Sequence, residues 1–303
     1  MTTYFDLYKK GEKLLLATKN EEAALESKLL LLDTFNFSQT KFLAKLKLTI
    51  TNKTRLNIFL SKIKQRQKKI PLAHILGNVH FRNNVYNIKP GVFIPRPETE
   101  LLVEKITQVI HKNKLDPSET NFFEFGFGSG VISIEVALAY PHLKNMYAWD
   151  KSKKAYKTAH ENAQRLGAQN INFIYKDFFK DWDFFKTIAQ NEKLNIFVSN
   201  PPYIPDSHIR DLQTEVKKHD PKAALKGGDD GLKIYKRLFK LLKSVEGYFL
   251  FEFGIDQQEG LTQLLQKYGY ANFTFSDDYS GIPRVLLIQN LRGQQKPESL
   301  EAT

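Results

Sequence analysis

From residue 121 onward the chain alternates between short apolar runs and segments of helical period, and that rhythm restricts the fold more than any other feature. Residues 121–125, 145–149, 171–175, 194–198 and 248–253 read as strands. Residues 130–140, 152–166, 232–242 and 257–268 read as the helices between them. Two more strands, 273–276 and 284–289, close the sheet. Strand–helix alternation of this kind predicts a mostly parallel, doubly wound α/β domain.

The region ahead of it has a different texture. Residues 4–18, 21–35, 41–48 and 55–65 are leucine-rich and periodic, with polar connectors, and predict a small helical bundle. Ser38 before a periodic stretch is placed as an N-cap. From Pro71 short alternating segments with Asn-Asn and Pro-Gly turns predict a β-hairpin connector, and a helix follows in which Leu101, Leu102, Ile106, Val109 and Ile110 have helical spacing. The expected organisation is a helical domain at 1–70, a hairpin linker at 71–94, an α/β domain at 95–292 and a disordered polar tail at 293–303.

Composition narrows the chemistry. No run of 18 or more apolar residues is present, so no transmembrane helix is expected, and the N-terminus lacks the basic-then-apolar order of a signal peptide. The chain has no cysteine, which excludes disulfides, thiolate catalysis and cysteine-ligated zinc and fits a cytoplasmic setting. No His/Asp/Glu cluster has metal-ligand spacing, so no metal is expected. The net charge is +12, and residues 1–80 hold 15 Lys/Arg against 6 Asp/Glu. That basic quarter suits a polyanion, whether nucleic acid, a ribonucleoprotein or an acidic protein, or is a solvated lysine-rich face.

Three features fall at the expected C-terminal ends of successive strands, where such sheets bind ligands. The first is EFGFGSG at 124–130, whose Gly126, Gly128 and Gly130 permit a sharp turn and close approach of a ligand; alone it is equally a tight strand-to-helix turn. The second is Asp150, placed to accept both hydroxyls of a ribose or to cap the helix near Ser152. The third is Asp177-Phe178, an acidic–aromatic pair that can reach an adenine or simply stand in an exposed loop. The glycine spacing is G-x-G-x-G, not the dinucleotide G-x-G-x-x-G, which favours S-adenosylmethionine over NAD because no pyrophosphate need be held.

The fourth strand ends in Asn200-Pro201-Pro202-Tyr203. Each proline fixes φ near −65° and removes an N–H, and Asn200 is pushed toward an extended conformation by the proline after it. The stretch either ends the strand or presents carbonyls and the Asn200 side-chain oxygen as acceptors for a planar NH2 group, with the Tyr203 ring as a packing face. Two acceptors on such a nitrogen raise its electron density and stabilise the positive charge that develops as it attacks an electrophilic methyl.

The motif set as a whole resembles the PrmC/HemK family, the peptide chain release factor N5-glutamine methyltransferases. The resemblance rests on PLAHILG (71–77), IPRPETE (94–100), EFGFGSG (124–130), NAQRLG (162–167), VSNPPYIP (198–205), ALKGGDDG (224–231), Glu252-Phe253-Gly254 with Gln257, and Asp278 with Gly281 and Arg284. It implies a Rossmann-like class I methyltransferase domain behind a small helical domain and hairpin linker. It further implies that Gly126, Phe127, Gly128, Ser129, Gly130, Asp150, Phe178 and Asn200 bind S-adenosylmethionine, released as S-adenosylhomocysteine. Asn200, Pro201, Pro202 and Tyr203 are then the catalytic and substrate-binding residues, gripping the glutamine of a GGQ motif in bacterial class 1 release factors. The expected enzyme is a cytoplasmic monomer with no membrane contact and no direct nucleic-acid binding. The alternatives are a ribosomal-protein glutamine methyltransferase and an adenine-N6 nucleic acid methyltransferase, which needs the same acceptor-plus-ring arrangement. Phe127 stands where that family has a small hydroxyl residue, and His219-Asp220-Pro221-Lys222 where it has Glu-Pro-Arg. Arg96, Glu98 and Glu100 either edge the pocket or form a helix N-terminus with favourable early acids.

Overall fold

The computed structural model describes residues 2–143, 145–191 and 194–291, so the tail expected at 293–303 lies outside the described residues. The chain forms two compact units. The first holds the residues up to Val79 together with Gln213–His219; the second holds His80–Leu212 and the chain from Asp220 onward.

The first unit is helical: Tyr4–Leu16, Ala23–Phe35, Gln39–Lys45, Lys53–Gln67 and a short turn of helix at Leu72–Leu76. Thr3 and Asp6 cap the first helix reciprocally, and the Ser38 hydroxyl accepts the Lys41 N–H at 3.1 Å, the cap expected there. Leu7, Leu15, Leu30, Phe35, Phe59 and Ile63 form the core. Gly11 lets the helices approach closely, since a methyl there would stand 2.7 Å from the Phe59 ring. Arg66 is buried and grips Glu26 with two parallel bonds of 2.7 and 2.9 Å, and its remaining nitrogen pairs with Glu215 at 2.7 Å. The stretch 71–77, expected to begin the hairpin, is instead this short helix, because Leu72, Ile75 and Leu76 pack onto the bundle core.

The strands are β1 (Asn78–Phe81), β2 (Asn84–Asn87), β3 (Thr120–Phe125), β4 (Asn145–Asp150), β5 (Ile171–Tyr175), β6 (Leu194–Ser199), β7 (Gly247–Glu252), β8 (Phe273–Asp277) and β9 (Pro283–Asn290). β1 and β2 form the expected hairpin. The rest make one seven-stranded sheet in the order β5-β4-β3-β6-β7-β9-β8, parallel except for β9, which runs antiparallel to β7 and β8. The strands match the sequence expectation to within a residue or two. One crossover helix escaped it: Trp182–Ala189, between β5 and β6, whose Phe185 is buried against Phe123 and Phe197. It has only two turns, too few for its period to stand out.

The chain builds outward from β3 through β4 to β5, then returns to lay β6 on the other side of β3. The strand order reverses there, so the loops after β3 and β6 diverge and leave a crevice at the carboxyl ends of the strands. The register pairs Phe125 with Ser199, and the Ser199 hydroxyl donates to the Phe125 carbonyl at 2.8 Å. Two loops therefore leave the sheet side by side at one level: the glycine loop and Asn200–Tyr203.

Candidate active site

Gly126, Gly128 and Gly130 all have positive φ, +79°, +54° and +84°. At Gly126 and Gly128 nothing lies within 4 Å of where a side chain would begin, whereas one at Gly130 would meet Ala159 and Ile134 at 3.0 Å. The first two glycines thus border open space and the third is needed for packing. The Gly126 N–H donates to the Trp149 carbonyl at 2.8 Å, and the Gly128 N–H to Asp150 Oδ2 at 3.0 Å. Asp150 Oδ1 accepts the Ser152 N–H at 2.8 Å, while the Ser152 hydroxyl itself caps the helix Lys153–Leu166. Asp150 is therefore not the cap; it is tied to the glycine loop at the end of β4. Burial pushes its carboxyl above the ordinary value, and the two N–H donors pull it back.

The loop is held from behind. Glu124 is fully buried and accepts from the Ser133 N–H at 3.0 Å and from the Ser133 hydroxyl. Burial pushes its carboxyl up to about 7. Asn162 donates to the Ser129 carbonyl at 3.0 Å and to the Asn87 carbonyl at 3.1 Å, and accepts the Asn87 N–H at 2.8 Å. One side chain of the NAQRLG segment thus joins the hairpin to the glycine loop.

Two aromatic positions sit differently from a cofactor-facing side chain. Phe127 is 2% exposed, its ring packed on Phe173 at 4.9 Å. Phe178 is 1% exposed, ringed by Phe125, Trp149, Trp182, Phe185 and Phe197. Both rings are buried in the hydrophobic core. Ser129 is buried as well, held through its carbonyl by Asn162.

The segment after β6 is clamped in place. The Ile204 N–H donates to the Leu225 carbonyl at 3.0 Å, the Gly227 N–H to the Ile204 carbonyl at 2.8 Å, and the Asp206 N–H to the Gly228 carbonyl at 2.9 Å. This bridging is what the ALKGGDDG segment does. The Tyr203 carbonyl accepts from Gln257 Nε2 at 2.9 Å, and Gln257 Oε1 accepts the Gly254 N–H at 2.9 Å. Gly227, Gly231 and Gly254 each lie too close to Tyr203 for a side chain. Tyr203 is half-buried, and burial raises its phenol.

Asn200 joins segments that the sequence holds far apart. Its Nδ2 donates to Thr99 Oγ1 at 3.2 Å, and Thr99 Oγ1 donates to Glu252 Oε2 at 2.7 Å. Thr99 comes from IPRPETE at the start of the helix Thr99–Lys112, and Glu252 ends β7. Glu252 is 2% exposed, and burial pushes its carboxyl up to about 7, opposed by the hydrogen bonds from Thr99 and Asn200. With the NH2 group of Asn200 turned to Thr99, its carbonyl oxygen faces the other way. Arg96 pairs with the buried Asp220 and lies over the Phe93 ring at 5.1 Å, and Arg284 pairs with Asp278 at 3.2 Å. The departure at 219–222 thus still supplies a carboxylate to the linker. The sequence holds Thr99 within IPRPETE and Glu252 within Glu252-Phe253-Gly254, but by itself it gives neither residue a role.

Among the described residues no helix is long and apolar enough to cross a membrane, and no group of His, Asp or Glu could hold a metal ion. Residues 6–77 match the family model for the PrmC N-terminal domain and residues 87–229 that for the methyltransferase small domain. The chain is 31% identical over 275 residues to the release factor glutamine methyltransferase of Coxiella burnetii, covering 90% of this chain and 94% of that one. It is 32% identical over 270 residues to that of Bacillus subtilis, covering 88% and 90%. A relative from Fusobacterium nucleatum, 34% identical over 239 residues, is matched over 64% of its own length and 78% of this chain. Among solved structures, the hMettl16 catalytic domain in complex with MAT2A 3'UTR hairpin 6 superposes with a TM-score of 0.52 at 10% identity, over 80% of this chain and 84% of that one, a likeness of fold.

Proposed function

The chain belongs to the release factor glutamine methyltransferase family, and on that premise we propose that it methylates the side-chain amide nitrogen of a glutamine in a peptide chain release factor, giving N5-methylglutamine. The observation that carries the reading is the placement of Asn200–Tyr203 beside the glycine loop on neighbouring strand ends, with the Asn200 amide held by its NH2 group.

The crevice fits S-adenosylmethionine. Gly126 and Gly128 leave open the space that side chains would fill, and Asp150 stands at the neighbouring strand end where a ribose is held in folds of this order. When bound, S-adenosylmethionine supplies a methyl group on a sulfonium and leaves as S-adenosylhomocysteine. The protein's part is positioning and electrostatics. The Asn200 carbonyl oxygen and the main-chain carbonyls of the Pro201-Pro202 stretch accept the two N–H groups of the substrate amide. Tyr203 packs on its plane. A carboxamide nitrogen is a poor nucleophile because its lone pair is shared with the carbonyl, so acceptors that favour charge on that nitrogen act mainly in the transition state. Aiming the nitrogen at the methyl supplies much of the remainder. The methylated nitrogen then loses one proton to solvent water, leaving a neutral secondary amide.

Release factors, the same factors with the GGQ glutamine changed to alanine, ribosomal proteins and DNA should each be incubated with the protein and labelled S-adenosylmethionine, and the label located by mass. Label only on the GGQ glutamine is expected. Label in DNA or a ribosomal protein, or label on a factor that survives the change to alanine, would overturn the reading.

A further inference from the structure

We infer that Glu252 and Thr99 are positioning residues that set which face of the Asn200 amide is offered to the substrate, through a relay buried behind it. The inference rests on the function proposed above and adds to it two residues that never touch the substrate.

The geometry is directional. A carboxylate has only acceptors, so Glu252 must receive a proton donor from Thr99, and the bond runs Thr99 Oγ1 to Glu252 Oε2 at 2.7 Å. With its proton committed there, the Thr99 oxygen has only lone pairs left, so it selects the NH2 end of Asn200, 3.2 Å away. The Asn200 amide also favours the charged form of Glu252. The Thr99 acceptor on the inner side excludes the flipped amide, which would set its carbonyl oxygen against an oxygen lone pair. Only one orientation satisfies all the buried groups, and it presents Oδ1, an acceptor, outward. The flipped orientation would present a donor to a substrate NH2, where two donors would repel.

The surroundings make the relay sensitive to the charge on Glu252. Glu98 on the linker and the phenols of Tyr203 and Tyr235 face it without neutralising it, and the Tyr235 hydroxyl donates to the Glu252 backbone carbonyl at 2.6 Å. Arg284 is the facing cation, and Asp278 shares it; Arg96, also near Tyr203, is engaged by Asp220. Protonation of Glu252 adds a donor to the relay. Thr99 can then accept instead of donate, and the lock on the amide is released. The carboxyl titrates near 7, within the working range of a neutral-pH enzyme.

The test compares wild type with Glu252→Gln, Thr99→Val and Thr99→Ser. In the [15N]asparagine-labelled full chain, the Asn200 side-chain NH2 signal, assigned by its loss in Asn200→Asp, is followed from pH 5 to 9. It is expected to titrate near neutrality in wild type and to stop titrating in Glu252→Gln. In the methyl-transfer assay, Glu252→Gln and Thr99→Val should lower kcat about 10- to 100-fold, with KM for S-adenosylmethionine changed less than about threefold. Thr99→Ser should restore kcat, and the acid limb of wild-type kcat should vanish in Glu252→Gln. An Asn200 signal that does not titrate, or that titrates alike in both proteins, would overturn the inference. So would a Glu252→Gln enzyme of full kcat, or a serine variant as impaired as the valine one. The spectroscopic arm needs no turnover, so failure of the proposed substrate leaves it intact.

Discussion

Gly254→Ala is a one-methyl change that tests whether the position of Tyr203 governs turnover. The added carbon would stand 2.9 Å from Tyr203 Cδ2, 3.2 Å from Cε2 and 3.1 Å from Gln257 Oε1. Carbon atoms rest at about 3.5–4.0 Å, so the ring must withdraw by roughly 0.5–1 Å. It cannot do so by moving the chain, because the Tyr203 carbonyl is held by Gln257 and the next residue, Ile204, is bonded on both sides, to Leu225 and to Gly227. The ring must therefore tilt. Overpacking of this size costs about 1–3 kcal/mol, which a domain of this size survives. With Tyr203 packed on the substrate amide as proposed above, displacing it by up to an ångström costs up to about 100-fold in turnover. Steady-state kinetics on a release factor, with a thermal melt beside them, should show kcat down by about 10- to 100-fold in a folded enzyme. A variant that melts normally and turns over at the wild-type rate would refute the claim that the ring's place matters.

Two further outcomes follow from the supports of the glycine loop. Asn162→Ala removes three hydrogen bonds and strands the Asn87 N–H and the carbonyls of Asn87 and Ser129, a loss of about 2–4 kcal/mol by denaturant titration, with a rise in KM for S-adenosylmethionine. Glu124 is a pH probe: its folded value of about 7 lies above the unfolded value of 4.5, so the folded state holds the extra proton between them. That stability is complete below pH 4.5 and is lost as pH rises through 7, of order 3 kcal/mol in all. Denaturation midpoints should fall less steeply over that window in Glu124→Gln than in wild type, and parallel slopes would count against it.

The sheet was legible because its strands are short apolar runs separated by helical periods, and the crevice because glycine frees the backbone and proline fixes it wherever they stand. For Asn200–Tyr203 residue type left two readings open, a strand end or an array of acceptors, and only the motifs taken together favoured the second. Thr99 and Glu252 took no role from the sequence, since a threonine in a linker and an acid in a strand mean nothing until the fold sets them 2.7 Å apart. Phe178 shows the converse. Aromatic identity at a strand end suits a ligand face, yet the same ring fills a gap between Trp149, Phe185 and Phe197, and only packing decides between the two. Local pattern reports what a residue can do, and tertiary pairing selects among the options.

The return of residues 213–219 to the helical unit has a practical consequence for anyone dissecting the protein. The chain crosses between its two units three times, after residues 79, 212 and 219, so no single cut separates them. A fragment ending at residue 79 would keep Arg66 and Glu26 but lose Glu215, the partner of one guanidinium nitrogen. Its complement would carry a helix with nothing of its own unit to rest on. Swapping the first unit between relatives therefore calls for exchanging two stretches of sequence at once, and a chimaera joined only near residue 79 would take Arg66 and Glu215 from different parents.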